Sequence, residues 1–453
     1  MTTRSRPSGL WLPLLTAALL PSSAAAFCGT FVGAAGDTLT NRASHVVVGR
    51  DGERTTLTLA MDYAGDTENF ALLLPMPVVL QREDVGTPPV ELVEAIRTYG
   101  DPRLAAYTCD QALGYTGPQF RGLGCGGALG CDMSAKNGIY DDSWNGWNDT
   151  ASTVDVLNHF NVDGYELVVL SAEDSGQLWN WLDSHGYAVP DAGRDVLQEY
   201  LDAGLFFVAV KINLALLNVR DGWLPPLQFQ YSSPFFGLPI RIGTISADRS
   251  ADAVPQEVII NVLADEAMGQ AGISNYPEVT LDADCLAEVD EFGAWYEDRL
   301  SGALDGKAGW IREHSWPVLS LSNDYHCDPC TPTGDFDPYA LRQLGAPLAD
   351  NIHLTRLRAR YTPEQANSDL VLYFDHKSGI KAQQRYVQYQ HELEFLWPVC
   401  DAGFPEEPGT CEVVGGYEVL DSGCGGSKST GIELGAMAFL AGMIGLRRRK
   451  VRS

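Results

Sequence analysis

The cysteines Cys327 and Cys330 have the C-x-x-C spacing, which can carry out thiol–disulfide exchange or bind a metal. Exchange favours a first cysteine at a helix N-terminus, but Pro332 and Gly334 follow closely and disfavour a helix. Metal binding would use His326 with both thiolates, and no second C-x-x-C completes the usual zinc arrangement. The pattern favours a structural disulfide between Cys327 and Cys330, with redox and metal binding as alternatives.

Three oxygen-bearing residues have the spacing of the first half of an EF-hand calcium loop. They are Asp141, Ser143 and Asn145, and Gly146 occupies the sixth position. The twelfth position is Ser152 instead of the glutamate that binds calcium through both oxygens, and the flanking sequence lacks a helix pattern. A solvated turn is the favoured interpretation. The three residues remain calcium candidates, and we expect no other cofactor.

Ten cysteines are present, and an exported chain usually pairs its cysteines. Short separations predict local disulfides between Cys125 and Cys131 and between Cys400 and Cys411, across segments rich in glycine and proline. Cys424 belongs to a C-terminal motif considered below, which leaves nine cysteines. The rest of the connectivity therefore stays open.

The sequence has no G-x-S-x-G, H-E-x-x-H or P-loop pattern, so it offers no familiar hydrolase or nucleotide site. Arg356, Arg358 and Arg360 alternate along a predicted strand and share one face. They either neutralise neighbouring carboxylates or bind an anion, and so acidic a chain favours the first interpretation. Its many carboxylates could also form the pair used by a glycosidase-like hydrolase, but spacing alone cannot place two of them together.

The elements that must position these residues begin after an export signal. Arg4 and Arg6 precede the apolar stretch 10–20, and Ala26 ends a run of small residues. This pattern is typical of a signal peptide over residues 1–26 that signal peptidase removes. We expect an exported domain over 27–400, with an irregular, glycine-rich insertion at about 113–150.

The C-terminal end also has the pattern of a targeting signal. Residues 401–426 are predicted to be a linker and sorting motif, 431–446 a hydrophobic segment, and 447–453 a basic cytoplasmic tail. With Cys424 among glycines, the order of these parts resembles the myxobacterial C-terminal sorting signal, MYXO-CTERM. The resemblance implies processing near Cys424 by a sorting protease and display at the cell surface. The alternative is a retained single-pass anchor in the inner membrane.

Charge limits the partners that the chain can have. Its 453 residues include 31 Lys and Arg against 59 Asp and Glu, a net charge of −28. Because nucleic acids and anionic lipid headgroups are negatively charged, nonspecific binding to either is disfavoured, and we expect no nucleic acid partner. Hydrophobic residues make up 45% of the chain, an ordinary share for a folded protein.

Hydrophobic periodicity predicts an α+β fold, mainly antiparallel sheet with a helix-pair unit and irregular disulfide-bearing loops. Asp51-Gly52 predicts a type I′ hairpin turn, and Ser171 with Asp174 predicts a capping box opening the first helix of the pair. Asp191 is predicted to cap the second helix. The predicted strands are 45–50, 53–63, 70–74, 165–170, 206–212, 258–263, 353–361, 370–374 and 385–397; the further helices are 90–99 and 286–300.

Several short motifs resemble a bacterial family known as domain of unknown function 2330. They are FCGTFV at 27–32, the segment 70–77, LWNWLDSHGY at 178–187 and GLPIR at 237–241. The family has no assigned reaction or catalytic residues, so the resemblance supports only an exported, membrane-associated protein.

Together these patterns predict an acidic protein that is exported and held at the cell surface or in a membrane by its C-terminal segment. We expect a binding or structural module rather than an enzyme, and the sequence identifies no ligand. The alternatives are an extracytoplasmic hydrolase with paired carboxylates and a calcium-dependent surface adhesin.

Overall fold

The structure is a computed structural model, and it describes eight stretches of the chain. They are residues 29–33, 44–61, 69–112, 154–213, 224–247, 255–318, 338–376 and 382–411. All belong to one compact unit that ends at Cys411. No helix among these stretches is long and apolar enough to cross a membrane. The hydrophobic segment predicted at 431–446 lies outside them.

Nineteen strands and six α-helices are found in the described stretches. The strands are β1 Thr30–Val32, β2 Ser44–Asp51, β3 Arg54–Met61, β4 Asn69–Met76, β5 Val85–Gly86, β6 Arg103–Ala105, β7 Asp155–Val162, β8 Tyr165–Ser171, β9 Phe206–Asn213, β10 Leu227–Ser232, β11 Gly237–Leu238, β12 Gln256–Asp265, β13 Gln270–Ile273, β14 Leu286–Ala287, β15 Gly309–Pro317, β16 Ile352–Tyr361, β17 Leu370–Asp375, β18 Ala382–Gln383 and β19 Arg385–Gln388. The helices are α1 Val90–Gly100, α2 Cys109–Ala112, α3 Ser175–Ser184, α4 Arg194–Asp202, α5 Phe292–Leu304 and α6 Pro338–Gln343.

Two antiparallel-rich sheets form the centre of the fold. The five-stranded sheet has the order β1-β4-β9-β8-β7, and the eight-stranded sheet has the order β18-β15-β16-β12-β2-β3-β10-β5. Only the β12–β2 pair is parallel in these two sheets. Smaller sheets have the orders β11-β17-β13 and β14-β19-β6. The predicted α+β class with mainly antiparallel sheet is confirmed.

Alternating side chains place these sheets in four layers. Leu72 of β4 and Val46 of β2 belong to one buried cluster, which fills the space between the two large sheets. Leu73, next to Leu72 along β4, points to the opposite face and packs with α3 and α4. The outer face of the eight-stranded sheet packs against α1 and α6 through residues such as Val47 and Ile96. The order of layers is therefore helices, sheet, sheet, helices.

The predicted hairpin of β2 and β3 is confirmed, but its turn differs from the prediction. Asp51 pairs with Arg54, which makes Gly52 and Glu53 the two turn residues. Gly52 has a φ of 57° and Glu53 has no positive φ, a pattern of type II′ rather than type I′. Asp51-Gly52 contributes its glycine one position earlier in the turn than we predicted.

The helix pair between β8 and β9 is present, but both predicted caps are wrong. Ser171 ends β8, and Asp174 is the residue whose side chain accepts a hydrogen bond from Gln177 N at 2.9 Å. Asp191 begins a single 3₁₀ turn, and α4 starts only at Arg194. The strand extends one residue further than predicted because Ser171 pairs with Asp155 of β7.

Two later elements have bounds that differ from the prediction. The predicted helix 286–300 begins only at Phe292, since Leu286 and Ala287 pair with β19 as strand β14. The predicted strand 385–397 ends at Gln388 and continues into a 3₁₀ turn at His391–Leu393. The first error arises from pairing between residues about 100 positions apart, which local periodicity does not contain.

Candidate functional site

The charged residues that the structure brings together lie on the helix-covered face of the eight-stranded sheet. Arg356, Arg358 and Arg360 alternate along β16, so their side chains share one face, as predicted. We call these three residues the arginine ladder. Their side chains are 3%, 11% and 14% exposed, which means that each guanidinium needs a charged or polar partner.

Two glutamates bridge Arg358 and Arg360, the second and third arginines of the ladder. Glu257 of β12 lies beside β16, and its Oε2 is 2.7 Å from Arg358 Nε and 2.6 Å from Arg360 Nη2. Glu297 of α5 also forms an ion pair with each of these arginines. Arg360 Nη1 donates a further bond to Ser301 Oγ at 3.0 Å. The ladder thus fastens α5 to the sheet through charge.

Arg356 joins the ladder to α1. Its Nε lies 2.6 Å from Glu313 Oε2, and its Nη2 lies 2.6 Å from Asp101 Oδ1 just beyond α1. Arg356 Nη1 also donates to the carbonyl of Arg97 in the last turn of α1, at 3.2 Å. A cation there suits the partial negative charge at a helix C-terminus.

The contacts of the ladder shift the pKa values of Arg358 and of the residues around it. Burial alone would raise the pKa of Glu257, but Arg358 and Arg360 outweigh it and the pKa is lowered. Burial would likewise lower the pKa of Arg358, and Glu257 with Glu313 raises it instead. Tyr296 donates to Glu313 Oε1 at 3.0 Å, and its pKa is raised by burial and by that carboxylate. The interpretation that the arginines neutralise carboxylates is confirmed.

Three buried histidines lie close to the ladder. Burial, with Arg103 adding to it, lowers the pKa of His314 to about 3. Burial lowers the pKa of His353 to about 4, and that of His45 falls well below its usual value through burial and Arg356. Neither ring nitrogen of His314 has a hydrogen-bond partner in the described stretches. All three rings are therefore neutral near pH 7.

One of these histidines contacts a serine in a way that sequence reasoning missed. Ser315 Oγ lies 2.8 Å from His353 Nε2, which is the distance between a nucleophile and its general base. The Ser315 side chain is completely buried within β15, so no substrate can reach its hydroxyl in this conformation. The contact fits a buried polar pair. β15 was not predicted, and the 38 positions between the two residues gave no signal.

The disulfides differ from the predicted local pairing. Cys109 is bonded to Cys411, and Cys285 is bonded to Cys400. The predicted bridge between Cys400 and Cys411 is therefore wrong, because each cysteine faces an element distant in sequence. The first disulfide spans 302 positions and the second 115, so both fasten the last described segment to earlier parts of the fold.

The other predicted site residues lie outside the described stretches, so the structure does not test them. They are the disulfide candidates Cys125, Cys131, Cys327 and Cys330, the calcium candidates Asp141, Ser143 and Asn145, and the processing residues Ala26 and Cys424. Within the described stretches, no group of three or more metal-ligating side chains is found.

The layered fold, the buried ion pairs and the long-range disulfides define a disulfide-stabilised α+β protein. The chain belongs to the family described as "Uncharacterized protein conserved in bacteria (DUF2330)", whose model matches residues 22–373. That match ends before β18, β19 and the disulfide-bonded cysteines Cys400 and Cys411. Searches of curated proteins and of solved structures each gave no match.

Proposed function

We propose that this chain is an exported acidic protein, attached through its C-terminal segment, whose disulfide-stabilised body is a binding or structural module. The observation that carries the proposal is the pair of disulfides between distant elements, Cys109–Cys411 and Cys285–Cys400. Such bonds persist in oxidising compartments and are rare in the reducing cytosol of bacteria. They agree with the export signal that the sequence pattern of residues 1–26 predicts.

The arginine ladder supports a structural use of the charged residues. Glu257 and Glu297 are brought together, but the same two arginines, Arg358 and Arg360, hold both carboxylates. A hydrolase with paired carboxylates needs one of them protonated as a general acid, and the pKa of Glu257 is lowered instead. The ladder therefore favours a module over the alternative hydrolase.

One carboxyl outside the ladder has a raised pKa, as a general acid would. Burial raises the pKa of Asp369, which accepts bonds from Tyr200 OH at 2.8 Å and from Arg241 N at 3.0 Å. Arg241 ends the GLPIR motif, and the contact joins α4 to β17. This carboxyl acts as a link between layers, which again favours a structural role.

Protease treatment of intact cells tests the location and the attachment. We expect an added protease to degrade the body on intact cells and to leave a cytosolic marker protein untouched. Fractionation should place the wild-type protein with membranes, and a variant that ends at Cys411 should be released. Full protection of the body, with the protein in the soluble cytosolic fraction, would contradict the proposal.

A calcium-dependent adhesin is a second candidate because Asp141, Ser143 and Asn145 have the spacing of the first half of a calcium-binding loop. A ligand that binds the folded state raises its melting temperature. If the adhesin hypothesis holds, calcium should raise the melting temperature of the wild-type protein, and a chelator should lower it again. If the hypothesis is wrong, neither addition should change the melting temperature. The Asp141→Ala variant is the control, since its melting temperature should not respond to calcium.

A further inference from the structure

Residues 401–411 form the end of the described chain and are mostly exposed. Eight of the eleven are exposed, including Phe404, and none belongs to a strand or helix. The segment contacts the preceding fold through an ion pair between Arg299 and Asp401, through paired backbone hydrogen bonds of 2.9 Å between Val399 and Gly403, and through Gly409 N, which donates to Glu394 Oε2 at 3.1 Å. Beyond these contacts, its exposed side chains provide little packing energy to hold the segment in place.

The Cys109–Cys411 disulfide fixes the far end of this segment. Cys109 opens α2, a helix of the body, and nearby Tyr107 stacks on Trp397 with ring centroids 5.3 Å apart. Cys411 is the last described residue, so the disulfide fastens to the body the point from which residues 412–453 continue.

The second disulfide has a different setting. Cys285 is buried, and the backbone around it is already paired: Leu286 N donates to Pro398 O at 2.7 Å, and Cys400 N donates to Leu286 O at 2.9 Å. Cys400 is thus held by strand-like hydrogen bonds as well as by its sulfur. Cys109 and Cys411 are both partly exposed, so a reductant reaches their bond more readily than that of Cys285.

We call the chain between the disulfide-stabilised body and its point of attachment the C-terminal tether. We propose that the Cys109–Cys411 disulfide sets the length of this tether, and that reduction of the disulfide adds residues 401–411 to it. The proposal rests on the proposed function only in that residues 412–453 attach the protein. Eleven residues add at most about 35–40 Å of reach at 3.3–3.6 Å per residue. The redox state would therefore decide how far the body can stand from its attachment.

The chemical step is thiol–disulfide exchange with a dithiol reductant. One thiolate of the reductant attacks a sulfur of the disulfide, which forms a mixed disulfide and releases the other cysteine as a thiolate. The second thiol of the reductant then displaces the remaining cysteine. Cys109 and Cys411 end as thiols after gaining two electrons and two protons, and the reductant ends as a cyclic disulfide.

Cleavage after Glu406 by a glutamate-specific protease tests the proposal on the purified full chain. Pinning at both ends restricts the segment, so the oxidised wild-type protein should be cut slowly. The Cys109→Ser/Cys411→Ser variant should be cut at least about 10-fold faster, because proteases need a locally flexible segment. The matched control, Cys285→Ser/Cys400→Ser, keeps the Cys109–Cys411 disulfide, and backbone hydrogen bonds still hold Cys400, so its cleavage rate should stay within about two-fold of wild type.

Brief treatment of wild-type protein with dithiothreitol provides a test that needs no variant. Peptide mapping should find Cys109 and Cys411 reduced first, and cleavage after Glu406 should accelerate with their reduction. Equal cleavage rates with and without this disulfide, or earlier reduction of Cys285–Cys400, would overturn the proposal. Because both readouts use purified protein, they are independent of the cell-fraction experiment that tests attachment.

Discussion

Arg356 Nε lies 2.6 Å from Glu313 Oε2, at a bulge in β15. The pairing of β15 with β16 shifts between Arg312 and His314, which leaves Glu313 as the extra residue. Glu313 lies two positions after Ile311, which packs against α5, so both side chains share the face that carries the arginine ladder. A buried cation and a buried anion thereby neutralise each other at the point where β15, β16 and α1 meet.

Removing the charge of Glu313 tests how much this contact stabilises the fold. In Glu313→Gln, Arg356 and Arg358 stay buried with one anion fewer, so the free energy of unfolding should fall by about 3–5 kcal/mol. The control is Asp305→Asn at the exposed ion pair with Lys307, where the change should be below about 0.5 kcal/mol. Urea unfolding measures both variants. Equal stabilities for the two variants would show that the ion pairs of Glu313 do not contribute this much to the free energy of unfolding.

The neutral histidines make the stability depend on pH. In the unfolded chain a histidine takes up a proton near pH 6.5, but His314 and His353 resist protonation down to about pH 3 and about pH 4 in the fold. Their contribution is therefore complete above about pH 6.5 and is lost as the pH falls toward about 4. The free energy of unfolding should decline over this window before most carboxylates are protonated.

The His314→Phe variant isolates one of these histidines. Phenylalanine keeps the edge contact with Tyr99, whose ring centroid is 5.4 Å away, but cannot bind a proton. The pH dependence between about 4 and 6 should therefore become shallower by about 1.4 kcal/mol per pH unit. An unchanged slope in His314→Phe would contradict the assignment.

The close approach of Gly345 to β3 predicts a strong effect of a single methyl group. Gly345 has a φ of 85°, and a Cβ there would lie 2.2 Å from Thr56 Cβ. Gly345→Ala should lower the free energy of unfolding by about 2 kcal/mol or more through the clash and the left-handed backbone. Gly293→Ala in α5 meets no atom within 4 Å and should raise stability by about 0.5–1 kcal/mol. Thermal unfolding compares the two directly.

The true cap of α3 provides a local test of the corrected helix start. Because Asp174 accepts a bond from Gln177 N, Asp174→Ala should cost about 1 kcal/mol. Ser171→Ala should change stability by less than about 0.5 kcal/mol, since Ser171 belongs to β8 and does not cap the helix. A larger loss of stability for Ser171→Ala than for Asp174→Ala in urea unfolding would contradict this helix start and support the predicted capping box.

Local signals predicted the fold class and many elements. The hairpin of β2 and β3 follows from Gly52, and strands such as β4 and β16 follow from uninterrupted or alternating apolar residues. The alternation of Arg356, Arg358 and Arg360 also predicted a shared face and carboxylate partners. These successes depend on residues a few positions apart.

Features set by distant contacts could not be predicted. The partners of the ladder, such as Glu297 and Glu313, come from elements that only the folded chain brings beside β16. The prediction of a Cys400–Cys411 disulfide was wrong for the same reason. The two cysteines are near each other in sequence, but the fold places each of them beside a cysteine that is distant in sequence. The bulge at Glu313 depends on pairing between β15 and β16, which no single segment encodes.

Peptide mapping and intact mass of the protein purified from its own cells, without reduction, test whether the chain is exported and oxidised. We expect a mature chain that begins at Phe27, with Cys109 bonded to Cys411 and Cys285 bonded to Cys400. Alkylation before reduction should leave these four cysteines unmodified. A chain that retains residues 1–26 and carries these four cysteines as free thiols would contradict an exported, disulfide-stabilised protein.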